Sequence, residues 1–185
     1  MNDYRIHLNY AKALFLLAHD LGETEAVTHD MELVGEVCKD NHLLNKIMAN
    51  PTIKEDRKRA IVNDIFAAHV GATTMAFLLF VVHRRRGVNL RGIASSYMEL
   101  YREANNIVLA HVTTASDMDD ELIGQLRQKV ADFTNKKVIV DHKVSDKMLG
   151  GFEMTFDTYL VDGRLYSRID RMKREFSKNV YESKL

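Results

Sequence analysis

The sequence predicts a mainly α-helical protein, with an N-terminal six-helix bundle followed by a smaller α+β domain that has a short sheet and a C-terminal helix. Two observations support this division. Apolar residues recur at helical spacing as far as Ala104, and from Ile107 the spacing changes to the alternation that is typical of strands. The chain has 185 residues, which is enough to bury a core in each part. We therefore predict one domain at residues 1–105 and a second at 106–185.

Apolar stripes at helical spacing define the six helices. The first runs from Tyr4 to about Leu21, and Gly22 is its predicted stop. The other five stripes lie at residues 27–38, 43–48, 61–66, 75–82 and 93–104. Short loops between such helices are typical of a bundle.

Helix three is expected to end at Asn50, because the residue before Pro51 is disfavoured in the α region. Thr52 and Glu55 have the spacing of a capping box, which would begin helix four. Gly71 would then break that helix.

Thr73 or Thr74 is expected to open helix five, which Arg84–Arg86 and the following glycine would close. Cations are favoured at this negative end of the helix dipole. Three adjacent arginines also suit phosphates or a lipid surface, but a solvated helix end is the simpler interpretation.

In the second half, Ile107–Thr113 is a predicted strand and Lys137–His142 a second one. Between them, Ser116 or Asp117 would cap a helix whose first turn is acidic, as the helix dipole favours. The predicted buried stripe of this helix is Leu122, Leu126, Val130 and Phe133.

A β-hairpin is predicted near the C-terminus, because alternating residues flank the short polar turn Asp157–Thr158. Gly150 and Gly151 open its first strand, and Asp162-Gly163 ends its second. No helix follows the glycine pair directly, so it is not a phosphate-binding loop. We expect the glycines to allow a bend or the close approach of another backbone. The final helix has the apolar stripe Ile169, Met172 and Phe176.

Composition excludes several classes of protein. Apolar residues make up 46% and charged residues 28%, with a net charge of +0, which argues against nucleic acid as the main partner. Cys38 is the only cysteine, so no intramolecular disulfide is possible. Its apolar neighbours favour a small buried side chain over a catalytic thiol.

The longest apolar run, Met75–Val82, is far too short to cross a bilayer. The N-terminal residues lead directly into an amphipathic pattern and do not resemble a signal peptide. We expect a soluble, cytoplasmic protein.

No motif predicts an enzyme, a metal site or a cofactor. The eight histidines do not pair at ligand spacing, and there is no HExxH, CxxC or GxSxG motif. Acidic residues between Asp117 and Glu121 lack the glycine and the spacing of a calcium loop.

The more informative features are apolar. Helix five is apolar on all sides from Met75 to Val82, which is typical of a central helix or of one that shares a face with a partner. Helix one has small residues beside Tyr10, Leu14 and Leu17, so that a groove there could accept another helix. Plain core packing would explain either helix equally well.

Five segments together resemble one known family, the delta subunit of the F-type ATP synthase, also called the delta or oligomycin-sensitivity-conferring protein family. Its motifs match Tyr10–Phe15, Asn50–Ile53, Asn106–Thr114, Gly150-Gly151 and Asp162-Gly163. Each motif is weak alone, but their order and spacing span nearly the whole chain. One departure is that Arg164, Leu165 and Tyr166 precede Ser167, where the family has a serine soon after the Asp-Gly pair.

The resemblance implies a non-catalytic subunit of the peripheral stalk, or stator, that acts in ATP synthesis coupled to hydrogen ion transport. Its helical domain would grip the amphipathic N-terminal helix of an alpha subunit, in a groove between helices one and five. Carried over from the family, Tyr10, Ala13 and about Phe80 would line this groove. Helical periodicity adds Leu14, Leu17 and Phe77 to the predicted lining.

The resemblance also implies that the second domain contacts the C-terminal ends of the b subunits. The chain would be a monomer within the complex, at the cytoplasmic side of the inner membrane and peripheral to it. The alternative is a helical adaptor that binds an unrelated amphipathic helix and has no link to an ATP synthase.

Overall fold

The computed structural model describes residues 3–178 and forms two compact units, one ending at Asn105 and one beginning at Asn106. The first is a bundle of six α-helices, and the second combines a small sheet with two helices, which confirms the predicted fold class. Residues 1, 2 and 179–185 of the predicted domains lie outside the described residues.

The six helices of the first unit match the predicted stripes. They are α1 (Asp3–Asp20), α2 (Thr24–Asp40), α3 (His42–Ala49), α4 (Glu55–Phe66), α5 (Ala72–His83) and α6 (Leu90–Ala104), with a 3-10 turn at Gly87–Asn89 before α6. The first helix, α1, packs most extensively against the last, α6, and α6 packs in turn against α2. Helix α5 packs mainly against α4.

Every helix of the bundle contributes to a single core, because each places its apolar stripe inward. Its fully buried large side chains include Leu14, Met31, Phe66, Leu78 and Tyr97. The Phe15 ring meets the Tyr97 ring edge-on, with 5.8 Å between the ring centroids. Helix α3 ends at Ala49, and the next residue, Asn50, is extended, as the following proline predicts.

The predicted starts of helices four and five are wrong. Helix α4 begins at Glu55 after Lys54, and Thr52 lies in the preceding turn, where its N–H donates to the Asn50 side chain. It also ends at Phe66, well before Gly71. That glycine instead precedes α5, so neither Thr73 nor Thr74 is its cap.

The second unit contains β1 (Ile107–Thr114), α7 (Asp120–Thr134), β2 (Lys137–Val144), β3 (Phe152–Phe156), β4 (Tyr159–Asp162) and α8 (Leu165–Lys178). The sheet has the order β2-β1-β3-β4. Strands β1 and β2 are parallel and are connected by α7, whereas the other two pairs are antiparallel. The predicted hairpin is confirmed, and Asp157 in its turn has a φ of 48°.

One face of the sheet carries the core of the second unit. Alternate residues of β1 are buried, as its period of two predicts, and they pack with Val130 of α7 and with Met154 and Phe156 of β3. Helix α7 begins at Asp120 after Asp119, so the prediction that Ser116 or Asp117 caps it is wrong. Leu122 and Phe133 are also exposed, because α7 contacts the sheet mainly through Val130 and Leu126.

Candidate functional site

An open apolar groove of about 860 Å³ runs along the helical unit between α1 and α5. Its lining residues are Asn9, Tyr10, Ala13, Leu14, Leu17, Leu21, Thr73, Ala76, Phe77, Phe80 and Arg84. All six residues that the sequence analysis assigned to partner binding are among them. The groove exists because neither helix is the other's main packing partner.

The predicted residues divide into a floor and two walls. Leu14 is 1% exposed and Phe77 is 9% exposed, so they form the floor and belong to the core beneath it. Leu17 and Phe80 are 45% and 46% exposed and rise as walls on either side. Ala13 is exposed between Tyr10 and Leu17, and its small side chain leaves the groove open.

Core packing explains only part of helix α5. Leu78, Val81 and Val82 are buried in the bundle, as a central helix requires. Phe80 lies on the remaining face and is left half-exposed. An exposed aromatic residue in an apolar groove is typical of a protein-binding surface.

Aromatic and basic groups meet at one end of the groove. The rings of Tyr10 and Phe80 face each other across it, with centroids 6.3 Å apart. The Arg84 guanidinium carbon lies 5.3 Å from the centroid of the Phe80 ring, which is cation–π distance. Among the groove-lining residues within the described part of the chain, Arg84 is the one that is charged. It was assigned only to a solvated helix end, although its spacing of four from Phe80 places it on the same face.

The glycine signature of the second unit forms a tight backbone junction. Gly151 has a φ of +87°, and a Cβ there would lie 2.3 Å from the carbonyl oxygen of Gly163. The Gly163 N–H donates to the Phe152 carbonyl at 2.9 Å, and the Leu165 N–H donates to the Gly150 carbonyl at 3.0 Å. These contacts join the start of β3 to the segment between β4 and α8, which is the close backbone approach that the sequence predicts.

Asp162 organises the start of helix α8. Its carboxylate accepts hydrogen bonds from the backbone N–H and the guanidinium of Arg164, and from the Ser167 hydroxyl at 2.7 Å. The Arg164 guanidinium, followed by the Ser167 hydroxyl, holds the pKa of Asp162 well below its usual range. The serine therefore reaches the aspartate across four intervening residues.

Helix α8 carries an apolar stripe that no other described element covers. Its residues are Leu165, Ile169, Met172 and Phe176, all of them exposed. Their spacing of four, three and four is the heptad spacing by which helices pair.

Neither a catalytic thiol at Cys38 nor a metal site is supported by the described residues. Cys38 is 1% exposed, and burial raises the pKa of its thiol to about 11, so the thiolate is scarce at neutral pH. Within residues 3–178, histidine, cysteine, aspartate and glutamate form no group of three or more that could hold a metal ion. No helix in that range is long and apolar enough to cross a membrane.

A helical bundle with an open apolar groove, followed by a unit with an exposed helical stripe, is typical of a protein that acts by binding other proteins. The family model described as ATP synthase delta (OSCP) subunit matches residues 6–176. The chain belongs to this family, which confirms the resemblance seen in its motifs. Members are non-catalytic structural subunits of ATP synthase in its peripheral stalk, so the other ATP synthase subunits are the partners of this chain.

Two relatives are similar in sequence to this chain over almost their whole length. The chain is 33% identical over 168 residues to the ATP synthase subunit delta of Chlorobium luteolum, covering 91% of this chain and 93% of the relative. It is 32% identical over 177 residues to the subunit delta of Flavobacterium psychrophilum, covering 96% and 99%.

A solved structure shares the fold. One chain of the cryo-EM structure of the Toxoplasma gondii mitochondrial ATP synthase hexamer superposes with a TM-score of 0.73. The match covers 97% of this chain and 99% of that one at 16% sequence identity.

Proposed function

We propose that the groove between α1 and α5 holds the amphipathic N-terminal helix of an ATP synthase alpha subunit. The second unit would bind the C-terminal ends of the b subunits. The chain thereby acts as a stator that keeps the catalytic head still against the torque of the rotor, while proton flow drives ATP synthesis. It does so as a monomer within the complex, peripheral to the cytoplasmic side of the inner membrane. Family membership favours this role over that of an adaptor with no link to an ATP synthase.

The single observation that carries the first contact is an apolar groove with two exposed walls. Its lining extends from Asn9 in α1 to Leu21 directly after that helix, a length of roughly 18 Å at 1.5 Å per helical residue. This length fits three to four turns of a bound helix, roughly 5.4 Å each. Apolar side chains of such a helix at positions i, i+3, i+4 and i+7 would face the floor and walls together.

Apolar burial supplies most of the affinity in this proposal. Leu17, Leu21 and Phe80 are each about half exposed, so covering them returns a substantial part of the roughly 1.5–3 kcal/mol that full burial of such a side chain contributes. Ordering a flexible peptide offsets part of that gain. The net charge of +0 provides little long-range attraction, so salt is expected to affect binding weakly.

Titration of the full-length chain with a peptide of about 20 residues, taken from the N-terminus of the alpha subunit of the same organism, tests the proposal. We expect binding with a negative heat-capacity change and NMR shift perturbations concentrated on α1 and α5. A scrambled peptide of the same composition, which keeps the charge but loses the apolar face, is the control. Absence of binding, or perturbations centred on other helices, would contradict the assignment.

The exposed stripe of α8 supports the second contact. Its heptad spacing suits pairing with another helix, and basic residues between the apolar positions favour an acidic partner segment. We propose that this stripe receives the C-terminal ends of the b subunits.

Ile169→Gln is expected to weaken binding of the soluble part of the b subunits by about 10-fold, because it removes a central apolar residue of the stripe. Arg171→Gln, on the opposite side of α8, is the matched control and should change the affinity by no more than about 2-fold. Both side chains are exposed, so thermal unfolding should be unchanged in both. Equal effects of the two variants in an equilibrium binding assay would argue against this stripe.

A further inference from the structure

The N-terminal end of helix α5 is bound by a side chain from another helix. The residue before its first turn is Gly71, which has no side chain to satisfy the free N–H groups. Asp30 of α2, 41 residues earlier in the chain, instead binds this end of α5 from another helix. Its Oδ2 atom accepts the Gly71 N–H at 2.8 Å and the Thr74 hydroxyl at 2.6 Å.

The surroundings of Asp30 make these bonds strong. Asp30 is 8% exposed and Thr74 is fully buried, so water competes little for the carboxylate. A negative charge is also favoured at the positive end of the α5 dipole. Hydrogen bonds to a carboxylate are about twice as strong as those between neutral groups. The position of the first turn of α5 is therefore tied to that of α2.

A second bond joins the same two segments and reaches the groove itself. The Thr73 hydroxyl donates to Glu23 Oε2 at 2.7 Å, and Thr73 is one of the groove-lining residues. Glu23 immediately precedes α2. Two carboxylates from this region therefore hold adjacent threonines in the first turn of α5.

Helix α2 is the bundle helix that packs against both walls of the groove. It packs against α1 on one side and against α5 on the other, whereas the main packing partners of those two helices are α6 and α4 respectively. We infer that Asp30 is a positioning residue that sets the distance between α1 and α5. It thereby sets the affinity of the groove for a bound helix, although Asp30 itself does not line the groove. This inference rests on the proposed function of the groove.

The effect has a predicted location. Asp30 holds the N-terminal end of α5, so its loss lets Thr73 and Ala76 move away from Leu17 and Leu21. At the opposite end, Tyr10 and Phe80 meet each other and Arg84 covers the Phe80 ring. That end has its own contacts and should change less.

The test compares Asp30→Ala, Asp30→Asn and Val62→Ala in the full-length chain, at a temperature where circular dichroism shows every variant folded. Val62 is a fully buried residue of α4 that does not line the groove, so its truncation lowers stability without removing either hydrogen bond of Asp30. We expect Asp30→Ala to weaken binding of the alpha-subunit peptide by about 10-fold. Asp30→Asn, which keeps an acceptor oxygen, should be intermediate, and Val62→Ala should stay within about 2-fold of the parent.

Shifts in the NMR spectrum of the free Asp30→Ala protein should concentrate near Thr73 and Leu21 rather than near Phe80. If Asp30→Ala does not fold, Thr74→Val removes one of the two bonds and should give a smaller loss of affinity in the same direction. If the parent protein binds the peptide, and both Asp30→Ala and Val62→Ala bind it with nearly the affinity of the parent, the positioning role alone is overturned. Parent protein that does not bind would instead refute the proposed function.

Discussion

Ala13→Trp is expected to abolish binding of the alpha-subunit peptide while the bundle stays folded. Ala13 is exposed on α1 and lines the middle of the groove, between Tyr10 and Leu17. An indole at this point occupies the space that a bound helix needs and displaces no core side chain. The expected loss is at least about 100-fold in Kd, which corresponds to about 2.7 kcal/mol. Isothermal titration calorimetry measures it directly.

Ala26→Trp provides the matched control, because Ala26 is exposed on α2 and does not line the groove. The chain has no native tryptophan, so each variant also carries a unique fluorophore. We expect blue-shifted emission from Ala13→Trp, whose indole packs against apolar walls, and solvent-like emission from Ala26→Trp. Unchanged affinity in Ala13→Trp would show that the helix binds elsewhere.

Gly151→Ala is expected to destabilise the second unit by about 3 kcal/mol, the sum of backbone strain and of a steric clash. At a φ of +87° an alanine is strained, and its Cβ would lie 2.3 Å from the Gly163 carbonyl oxygen. Relieving that contact disrupts the hydrogen bonds that join the start of β3 to the start of α8. Hydrogen exchange of the amides paired between β1 and β3 measures the change, with the amides of α6 as an internal reference.

Gly124→Ala, in the same unit, is expected to have the opposite effect on stability. Gly124 is exposed in the interior of α7, and a Cβ there would meet nothing within 4 Å. Alanine should stabilise the unit by about 0.5–1 kcal/mol, since it lowers the entropy of the unfolded chain and favours the helix. Equal protection of the β1–β3 amides in the two variants would disprove the tight junction.

Periodicity predicted the helices well because burial enforces it directly. A stripe such as Leu14, Ala18 and Ala11 must face the core whichever helix covers it, so its spacing alone identifies the element. The same spacing placed Leu17 and Phe80 beside the groove. It would also have found Leu21, Ala76 and Arg84, each four residues from a predicted lining residue.

Helix starts were harder to predict because their caps depend on tertiary contacts. Thr74 has the residue type of a cap, yet its hydroxyl donates to Asp30 on another helix. Nothing local marks Asp30 as the residue that binds the start of α5. The prediction that Phe133 is buried was wrong for a related reason. It makes T-shaped contacts with the rings of Phe156 and Tyr159, yet these tertiary contacts leave it 61% exposed.

The pairing of α1 with α6 has a consequence for the order of events during synthesis. Helix α1 leaves the ribosome before its main packing partner α6, which is complete only when the chain has been made as far as Ala104. One wall of the groove is therefore held in place last, although its residues are translated first. A nascent chain that carries only α1–α5 contains the residues of both walls, but the groove that would bind a helix is not yet formed. Capture of a partner is thus delayed until the whole bundle has emerged.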